Sequence, residues 1–274
     1  MSAGTDSRRA PRGGALFVWC GLALVLLLIP SLAPRAAGRC GADRVDAQVR
    51  VTYVYDGDTV RLADGRHLRL IGIDTPELHP DHGGPQPLAE AARDQLRALL
   101  QRHRYQLRLR FDQDRQDRYH RLLAHAFLND GSSVERRLLD AGLGTALVVP
   151  PNLWHLTCYH DAQAVAQHAR RGLWALPAYQ PVAAARLPRD ADGFHLLTGR
   201  VTAVRGGRRG IWLQLDGPVV LRIPRGDLIY FVGHDLPALK GQRVLAQGWL
   251  HRSFGDRSGW FMAVRHPEAL EVLR

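Results

Sequence analysis

Between residues 49 and 174, the hydrophobic and polar positions change from a strand pattern to a mixture of strand and helix patterns. The segment VRVTYVYDGDTVRLADGRHLRLIGID is rich in β-branched and aromatic residues and contains the turn pairs Asp56-Gly57 and Asp64-Gly65, which predicts a strand meander. Apolar residues at helical spacing over 88–101 then predict a helix. Further along come two strands, YQLRLRF and RLLAHAF, and two helices, VERRLLDA and residues 156–171. This order indicates an α+β domain around a small barrel.

From residue 194 onward the pattern predicts strands alone. The short runs FHLLTGRVTAV, GIWLQLD, VVLRIP, QRVLAQGWLH and GWFMAVRH are separated by Gly, Pro and Asp, which is typical of a small all-β barrel of the OB type. The preceding segment, 177–193, is rich in Ala, Pro and Arg and predicts a linker. We therefore predict an α+β domain over 49–176, a linker over 177–193 and a β-barrel domain over 194–274.

The N-terminal 38 residues have a pattern of their own. Arg8, Arg9 and Arg12 precede an uninterrupted apolar run from Ala15 to Ile29. The length of this run lies between that of a signal-peptide core and that of a membrane-spanning helix. The arginines on its N-terminal side favour a location outside the cytoplasm for the rest of the chain. We expect residues 1–38 to be a signal peptide, giving a periplasmic or secreted protein, or else an uncleaved anchor in the inner membrane.

Composition and charge narrow the functional classes. With 46% hydrophobic and 23% charged residues, the chain is neither disordered, nor collagen-like, nor a polytopic membrane protein. Its net charge of +11 favours an acidic partner such as nucleic acid or anionic lipid. Three cysteines are too few for a disulfide scaffold. Export would place Cys40 and Cys158 in a compartment where disulfides persist. The sequence leaves two states equally open, a disulfide between these cysteines or two free thiols.

Candidate chemistry is concentrated in one stretch of the first domain. The segments 56–59 (DGDT) and 74–77 (DTPE) flank two predicted strands, so their carboxylates can converge on one hard cation such as Ca²⁺. Glu77 would stand beside this cation, where it can deprotonate a water. Arg69 and Arg121 would offer guanidinium groups to a phosphate, which completes the groups that phosphodiester hydrolysis needs. Taken singly, the same segments also suit a hairpin turn and a helix start.

The motifs YDGDTVRL, RLIGIDTPE and DRYHRLLAHAFLNDGSSV, in this order and spacing, resemble the staphylococcal nuclease (thermonuclease-like, SNase-like) family. The resemblance covers about residues 49–174. It implies a five-stranded OB-fold barrel with three helices. It also implies a calcium-dependent endonuclease that hydrolyses phosphodiester bonds of DNA, RNA or both and leaves 3′-phosphates.

The resemblance also implies roles for eight residues. Ca²⁺ would be bound by the carboxylates of Asp58 and Asp74 and by the backbone carbonyl of Thr75. Three side chains would act in catalysis, Arg69, Glu77 and Arg121. Glu77 would be the general base, and the two arginines would bind the scissile phosphate and stabilise the charge of the transition state. The terminal phosphate of a bound nucleotide would contact Arg118 and Tyr119.

The chain departs from the family pattern beside these residues. Leu147 and Val149 stand where the family often carries tyrosines that stack on a base, and His120 and Leu122 flank Arg121 where the best-known member has glycines. A non-catalytic nucleic-acid-binding or scaffold protein is the alternative function. Members that have lost activity usually lack one of the carboxylates or arginines, whereas all of them are present here, so we expect an enzyme.

The C-terminal module carries no set of residues for catalysis. Its loops and strands carry arginines interleaved with aromatic residues: Arg205, Arg208, Arg209, Trp212, Arg252, Phe254, Arg257 and Trp260. Such a surface suits single-stranded nucleic acid, although the tryptophans also suit a barrel core. The expected partners are a DNA or RNA substrate and, if residues 1–38 are retained, a membrane. The sequence indicates no protein partner.

Overall fold

A computed structural model of the chain describes residues 40–80, 84–188, 190–252 and 259–273. The predicted signal or anchor over residues 1–38 lies outside these ranges. Within them, no helix combines the length and the apolar character that crossing a membrane requires.

The first domain is a closed five-stranded barrel with three α-helices. Its elements are β1 (Ala47–Val54), β2 (Thr59–Leu62), β3 (His67–Leu70), β4 (Ile73–Asp74), α1 (Ala89–Arg102), β5 (Gln106–Arg110), β6 (Leu122–Phe127), α2 (Val134–Asp140), β7 (Thr145–Ala146) and α3 (Leu156–His168). The barrel has the strand order β1-β2-β3-β6-β5, with β3 and β6 parallel, and β4 pairs separately with β7. The predicted SNase-like α+β fold is confirmed.

The hydrophobic pattern explains why these segments form these elements. Side chains that alternate along the strands, such as Leu68 and Leu70 of β3, point into one apolar core. Helix α1 covers this core with the stripe that its spacing predicted, which includes Leu96 and Leu100. Helix α2 begins where Ser133 Oγ accepts a hydrogen bond from Arg136 N at 3.1 Å, which satisfies one of the unpaired amides of its first turn.

The second domain is also a closed five-stranded barrel. Its strands are β8 (Val182–Ala183), β9 (Gly193–Gly207), β10 (Gly210–Leu215), β11 (Val219–Pro224), β12 (Arg243–Arg252), β13 (Trp260–Ala263) and β14 (Leu270–Leu273). The ring runs β9-β10-β11-β13-β12 and closes through β12–β9, with β11 and β13 parallel. This is the strand order of the first barrel, so the predicted OB-like module is confirmed. Trp260 lies in the core of this barrel, and Phe254 and Arg257 lie outside the described residues.

The segment predicted as a linker packs along the second barrel. β8 pairs in parallel with β9, and Ala184 and Ala191 are buried in the second core. The exact domain boundaries stay predictions. Both barrels belong to one compact unit. Between them lies a small apolar cluster in which Trp174 and Leu196 are buried and against which Leu245 packs.

A disulfide joins Cys40 to Cys158, one of the two states that the sequence left open. It ties the start of the described chain to α3 across a separation of 118 residues. A cross-link over so long a loop restricts the unfolded chain and thereby stabilises the fold.

The side chain of Glu135, in the first domain, is fully buried. Its Oε1 accepts a hydrogen bond from Ala126 N and its Oε2 one from Ser133 Oγ, both at 2.7 Å. Burial raises the pKa of Glu135 from 4.5 to about 7. Between these values the folded protein holds a proton that the unfolded chain has released, so this group's contribution to stability falls as the pH rises.

Replacing Glu135 with Gln should therefore remove part of the pH dependence of stability. Relative to the Glu135→Gln variant, the wild type should lose roughly 1–3 kcal/mol of unfolding free energy as the pH rises from about 5 to 8. Urea unfolding across this range measures the difference. A constant difference would show that Glu135 does not titrate in the folded protein.

Candidate active site

The predicted carboxylates and arginines meet at one rim of the first barrel. In the β2–β3 ladder Thr59 pairs with Arg69, which places Asp58 beside the Arg69 side chain. Asp58 Oδ1 lies 3.2 Å from Arg69 Nε. From the other side, Asp74 of β4 accepts a hydrogen bond at Oδ1 from Arg69 Nη2 at 2.8 Å. One guanidinium thus links carboxylates that lie 16 residues apart in sequence.

Arg69 is held on several sides at once. Its Nη1 donates to the carbonyl oxygens of Leu70 and Ile73, both at 2.7 Å. Burial of the guanidinium opposes its charge, but the charges of Asp58 and Asp74 outweigh this and raise the pKa of Arg69 above its ordinary value. The side chain is therefore a fixed positive charge with a defined orientation.

Asp58 connects the two halves of the motif. Its carboxylate is buried, with Oδ2 accepting hydrogen bonds from Thr75 N at 2.7 Å and from Thr75 Oγ1 at 3.1 Å. Oδ1 accepts from Thr59 Oγ1 at 2.9 Å. The predicted ligand Thr75 is thus in direct contact with the predicted ligand Asp58. The chain around Pro76 forms no helix, so the alternative of a helix start does not apply here.

Two more acidic residues crowd the same rim. Burial and the charges of Asp58 and Glu77 raise the pKa of Asp56 to about 8. Burial also raises the pKa of Asp74 to about 6, against the opposing effect of Arg69. The pKa of Glu77 is raised by burial and by the charge of Asp58. Four carboxyl groups therefore lie around the single guanidinium of Arg69, and the raised pKa values of three of them reflect this crowding of acidic groups.

This excess of acidic oxygen fits a hard divalent cation. Among the described residues, no three His, Cys, Asp or Glu side chains are assembled into a cage for a metal ion. Calcium sites need no such cage, because carbonyl oxygens and waters complete the coordination. The residues predicted as ligands, Asp58, Asp74 and Thr75, would offer oxygen atoms alone, which fits such a cation.

Arg121 directly precedes β6, which runs parallel to β3, and lines the same cleft as Arg69. Asp117 fixes it: Arg121 Nε donates to Asp117 Oδ2 at 2.7 Å, and Arg121 N donates to Oδ1 at 2.9 Å. The ring of Tyr119 stands between Arg118 and Arg121, with guanidinium carbons 4.7 and 5.5 Å from its centroid. Arg121 also acts on Glu77, since its charge opposes the rise in the pKa of that group.

A cleft of about 510 Å³ lies beside the carboxylates. Its polar lining includes Arg69, Arg121, Arg118 and Tyr119, and its apolar lining includes Leu147 and Val149. The lining is thus aliphatic at the two positions where the family often has tyrosines. A further arginine, Arg265, enters the lining from the second barrel and is held by Asp227 at 2.8 Å.

His120 also shows the effect of a departure from the family pattern. It has a φ of 62°, a backbone conformation that glycine adopts at little cost. The turn before Arg121 therefore has a backbone conformation that suits glycine, although the residue at this position is His120.

Comparison with known proteins agrees with this geometry. The model of the staphylococcal nuclease homologue family matches residues 67–176. A thermonuclease of Staphylococcus intermedius is 35% identical over 127 residues, which cover 45% of this chain and 74% of that protein. A thermonuclease of Staphylococcus hyicus is 31% identical, with 52% of this chain and 82% of that protein covered. This chain belongs to the staphylococcal nuclease family.

Membership in the staphylococcal nuclease family confirms the predicted resemblance and the prediction of a nuclease, a hydrolase. Endonuclease YncB of Bacillus subtilis is a further relative, 33% identical over 45% of this chain and 60% of that protein. The match to the family model ends at residue 176, before the second barrel begins.

Three residues that contact the predicted site residues or line the cleft were not predicted from the sequence, namely Asp117, Arg265 and Trp249. Asp117, four positions before Arg121, could have been found from that spacing, since a carboxylate at this distance commonly orients an arginine. Arg265 and Trp249 gave no signal. Trp249 Nε1 donates to Asp74 Oδ2 at 3.0 Å across a separation of 175 residues, a contact that depends on how the second barrel packs.

Gly57 makes the close approach of the two motif segments possible. A Cβ atom at this position would lie 2.8 Å from both Thr75 Cγ2 and Ala92 Cβ. Gly57→Ala should therefore push Asp58 away from Thr75, destabilise the fold by about 1–3 kcal/mol and lower the cleavage rate. Urea unfolding and a nuclease assay measure both effects.

Gly84→Ala is the matched control, because a Cβ there meets no atom within 4 Å. If Gly57→Ala were as stable and as active as Gly84→Ala, the tight packing around Gly57 would have no consequence for the site.

Proposed function

We propose that this protein is a calcium-dependent endonuclease that hydrolyses phosphodiester bonds of DNA, RNA or both and leaves 3′-phosphates. The observation that carries the proposal is the group formed by Asp58, Arg69 and Asp74, with Glu77 and Arg121 at the same rim. It combines excess acidic oxygen for a cation, a carboxyl group for proton transfer and two guanidinium groups for a phosphate.

Asp58, Asp74 and the carbonyl of Thr75 would hold the cation. When bound, Ca²⁺ supplies positive charge against a phosphate oxygen and helps to orient a water molecule. Arg69 is paired with both carboxylates in this structure, so the cation and the guanidinium would share one set of acidic oxygens.

The chain's own residues would carry the remaining steps. Glu77 would take a proton from the water while the water oxygen bonds to phosphorus. The bond from phosphorus to the 5′-oxygen breaks, and the 5′-oxygen leaves with the electron pair and takes up a proton from solvent. Arg69 and Arg121 bind the phosphate and stabilise the charge that develops on it. Arg118 and Tyr119, in the cleft next to Arg121, would contact the terminal phosphate of the bound strand.

We also propose that residues 1–38 direct the protein out of the cytoplasm, to the periplasm or medium or to the outer face of the inner membrane. The support comes from the arginine-flanked apolar run and from the disulfide between Cys40 and Cys158. Disulfides of this kind persist in oxidising compartments outside the cytoplasm.

The test is cleavage of end-labelled single-stranded DNA and RNA with Ca²⁺ or with a chelator. The wild type should cleave only with Ca²⁺, and Glu77→Ala should lower the rate about 10²–10⁴-fold because no carboxyl group then accepts the proton. Phosphatase treatment of the products should change their mobility in the way that loss of a 3′-phosphate does.

Glu90→Ala is the control, since Glu90 is an exposed carboxylate in the first turn of α1 and should leave the rate unchanged. Equal cleavage by wild type and Glu77→Ala would remove Glu77 from the mechanism. A folded wild type that binds DNA and cleaves neither substrate with Ca²⁺ would instead support the non-catalytic alternative.

A further inference from the structure

Strand β12 of the second barrel lies against the active-site side of the first. Leu245, Gln247 and Trp249 alternate along it and so share one face. Leu245 packs on the apolar cluster around Trp174. Gln247 Oε1 accepts a hydrogen bond from Gln163 Nε2 at 3.0 Å, and Trp249 Nε1 donates to Asp74. The contact with Asp74 is therefore part of an ordered junction along a whole strand.

The carboxylate of Asp74 is held from both barrels. Oδ1 accepts from Arg69 at 2.8 Å and Oδ2 accepts from Trp249 at 3.0 Å. Two donors on the two oxygens define the plane of the carboxylate. Since each carboxylate oxygen can accept two bonds, each still has a lone pair for a cation.

Asp74 needs this support because its own strand is short. β4 has two residues and pairs with the two residues of β7, a ladder too small to be rigid alone. Ala146 of β7 donates from its N to Gln163 Oε1 at 2.7 Å, and Gln163 in turn contacts Gln247 of β12. The second barrel thus braces both strands of this ladder, β7 through Gln163 and β4 through Trp249.

The second barrel also borders the substrate cleft. Arg265, which follows β13, lies in the same cleft lining as Arg118 and Arg121. Its guanidinium is oriented by Asp227 of the same barrel at 2.8 and 3.2 Å. The second barrel therefore contributes at two neighbouring places, with Trp249 at Asp74 and with Arg265 in the cleft lining.

We propose that Trp249 is a positioning residue of the nuclease site: its indole N–H fixes the carboxylate of Asp74 for the cation, so that the second barrel completes the active site. The inference rests on the proposed role of Asp74 as a metal ligand. Hydrogen-bond donors behind a ligand orient it, and their loss typically weakens metal binding or activity about 10–100-fold.

The test is Trp249→Phe in the intact chain, which removes the N–H donor and keeps an aromatic ring at the junction. Calcium binding is measured by calorimetry without nucleic acid. The variant should bind Ca²⁺ about 10–100-fold more weakly. With saturating Ca²⁺, KM for an oligonucleotide should stay unchanged, because Trp249 does not line the substrate cleft. The kcat should fall, because the indole N–H no longer fixes the carboxylate of Asp74.

Trp212→Phe, the same substitution on strand β10 of the same barrel, is the matched control and should bind Ca²⁺ like the wild type. Thermal unfolding without Ca²⁺ reports whether each variant is folded. If Trp249→Phe fails to fold, benzothienylalanine at position 249 provides a second variant, since its sulfur replaces the N–H with little change in ring shape. Either variant, once folded, should show the same loss of affinity.

Wild-type affinity for Ca²⁺ in the folded position-249 variant would overturn the inference, because the junction would then act by packing alone. Asp74→Asn separates this result from a failure of the proposed function. If Asp74→Asn binds Ca²⁺ like the wild type, the assignment of the metal ligands is wrong. If Asp74→Asn loses the cation and the position-249 variant keeps it, only the role of Trp249 is wrong.

Discussion

The ion pairs of Arg69 with Asp58 and Asp74 are the interactions on which the site depends. A buried guanidinium is tolerated only with carboxylate partners, and two buried carboxylates need a compensating positive charge. Since Asp58 precedes β2, Arg69 lies on β3 and Asp74 lies on β4, the pairs form only when these three strands are brought together. The barrel and its site are therefore built by the same contacts.

Crowding of acidic groups around one guanidinium is the main electrostatic feature of this rim. Asp56 and Glu77 add acidic groups that Arg69 does not neutralise, and burial raises the pKa of both. Such crowding works against folding, and clusters of groups with perturbed pKa values are typical of functional sites. The hydrogen bonds from Thr59 and Thr75 to Asp58 keep the group ordered in spite of this repulsion.

The two barrels share one strand order, and their contributions to the site differ. The first supplies every group that carries charge to the predicted catalytic centre. The second supplies an indole N–H behind Asp74 and an arginine at the edge of the cleft. A nuclease domain of the staphylococcal type is thus combined with a second barrel that buries part of its rim.

Alternation, helical spacing and turn pairs are local properties, and from them the sequence predicted both barrels and the three helices. The roles of the residues in the DGDT and DTPE segments were predicted from the resemblance to the family. The sequence also contained Asp117, whose spacing from Arg121 is short. The disulfide between Cys40 and Cys158 and the contact of Trp249 with Asp74 depend on the folded structure. These pairs are separated by 118 and 175 residues, and no local pattern encodes which distant parts of a chain meet.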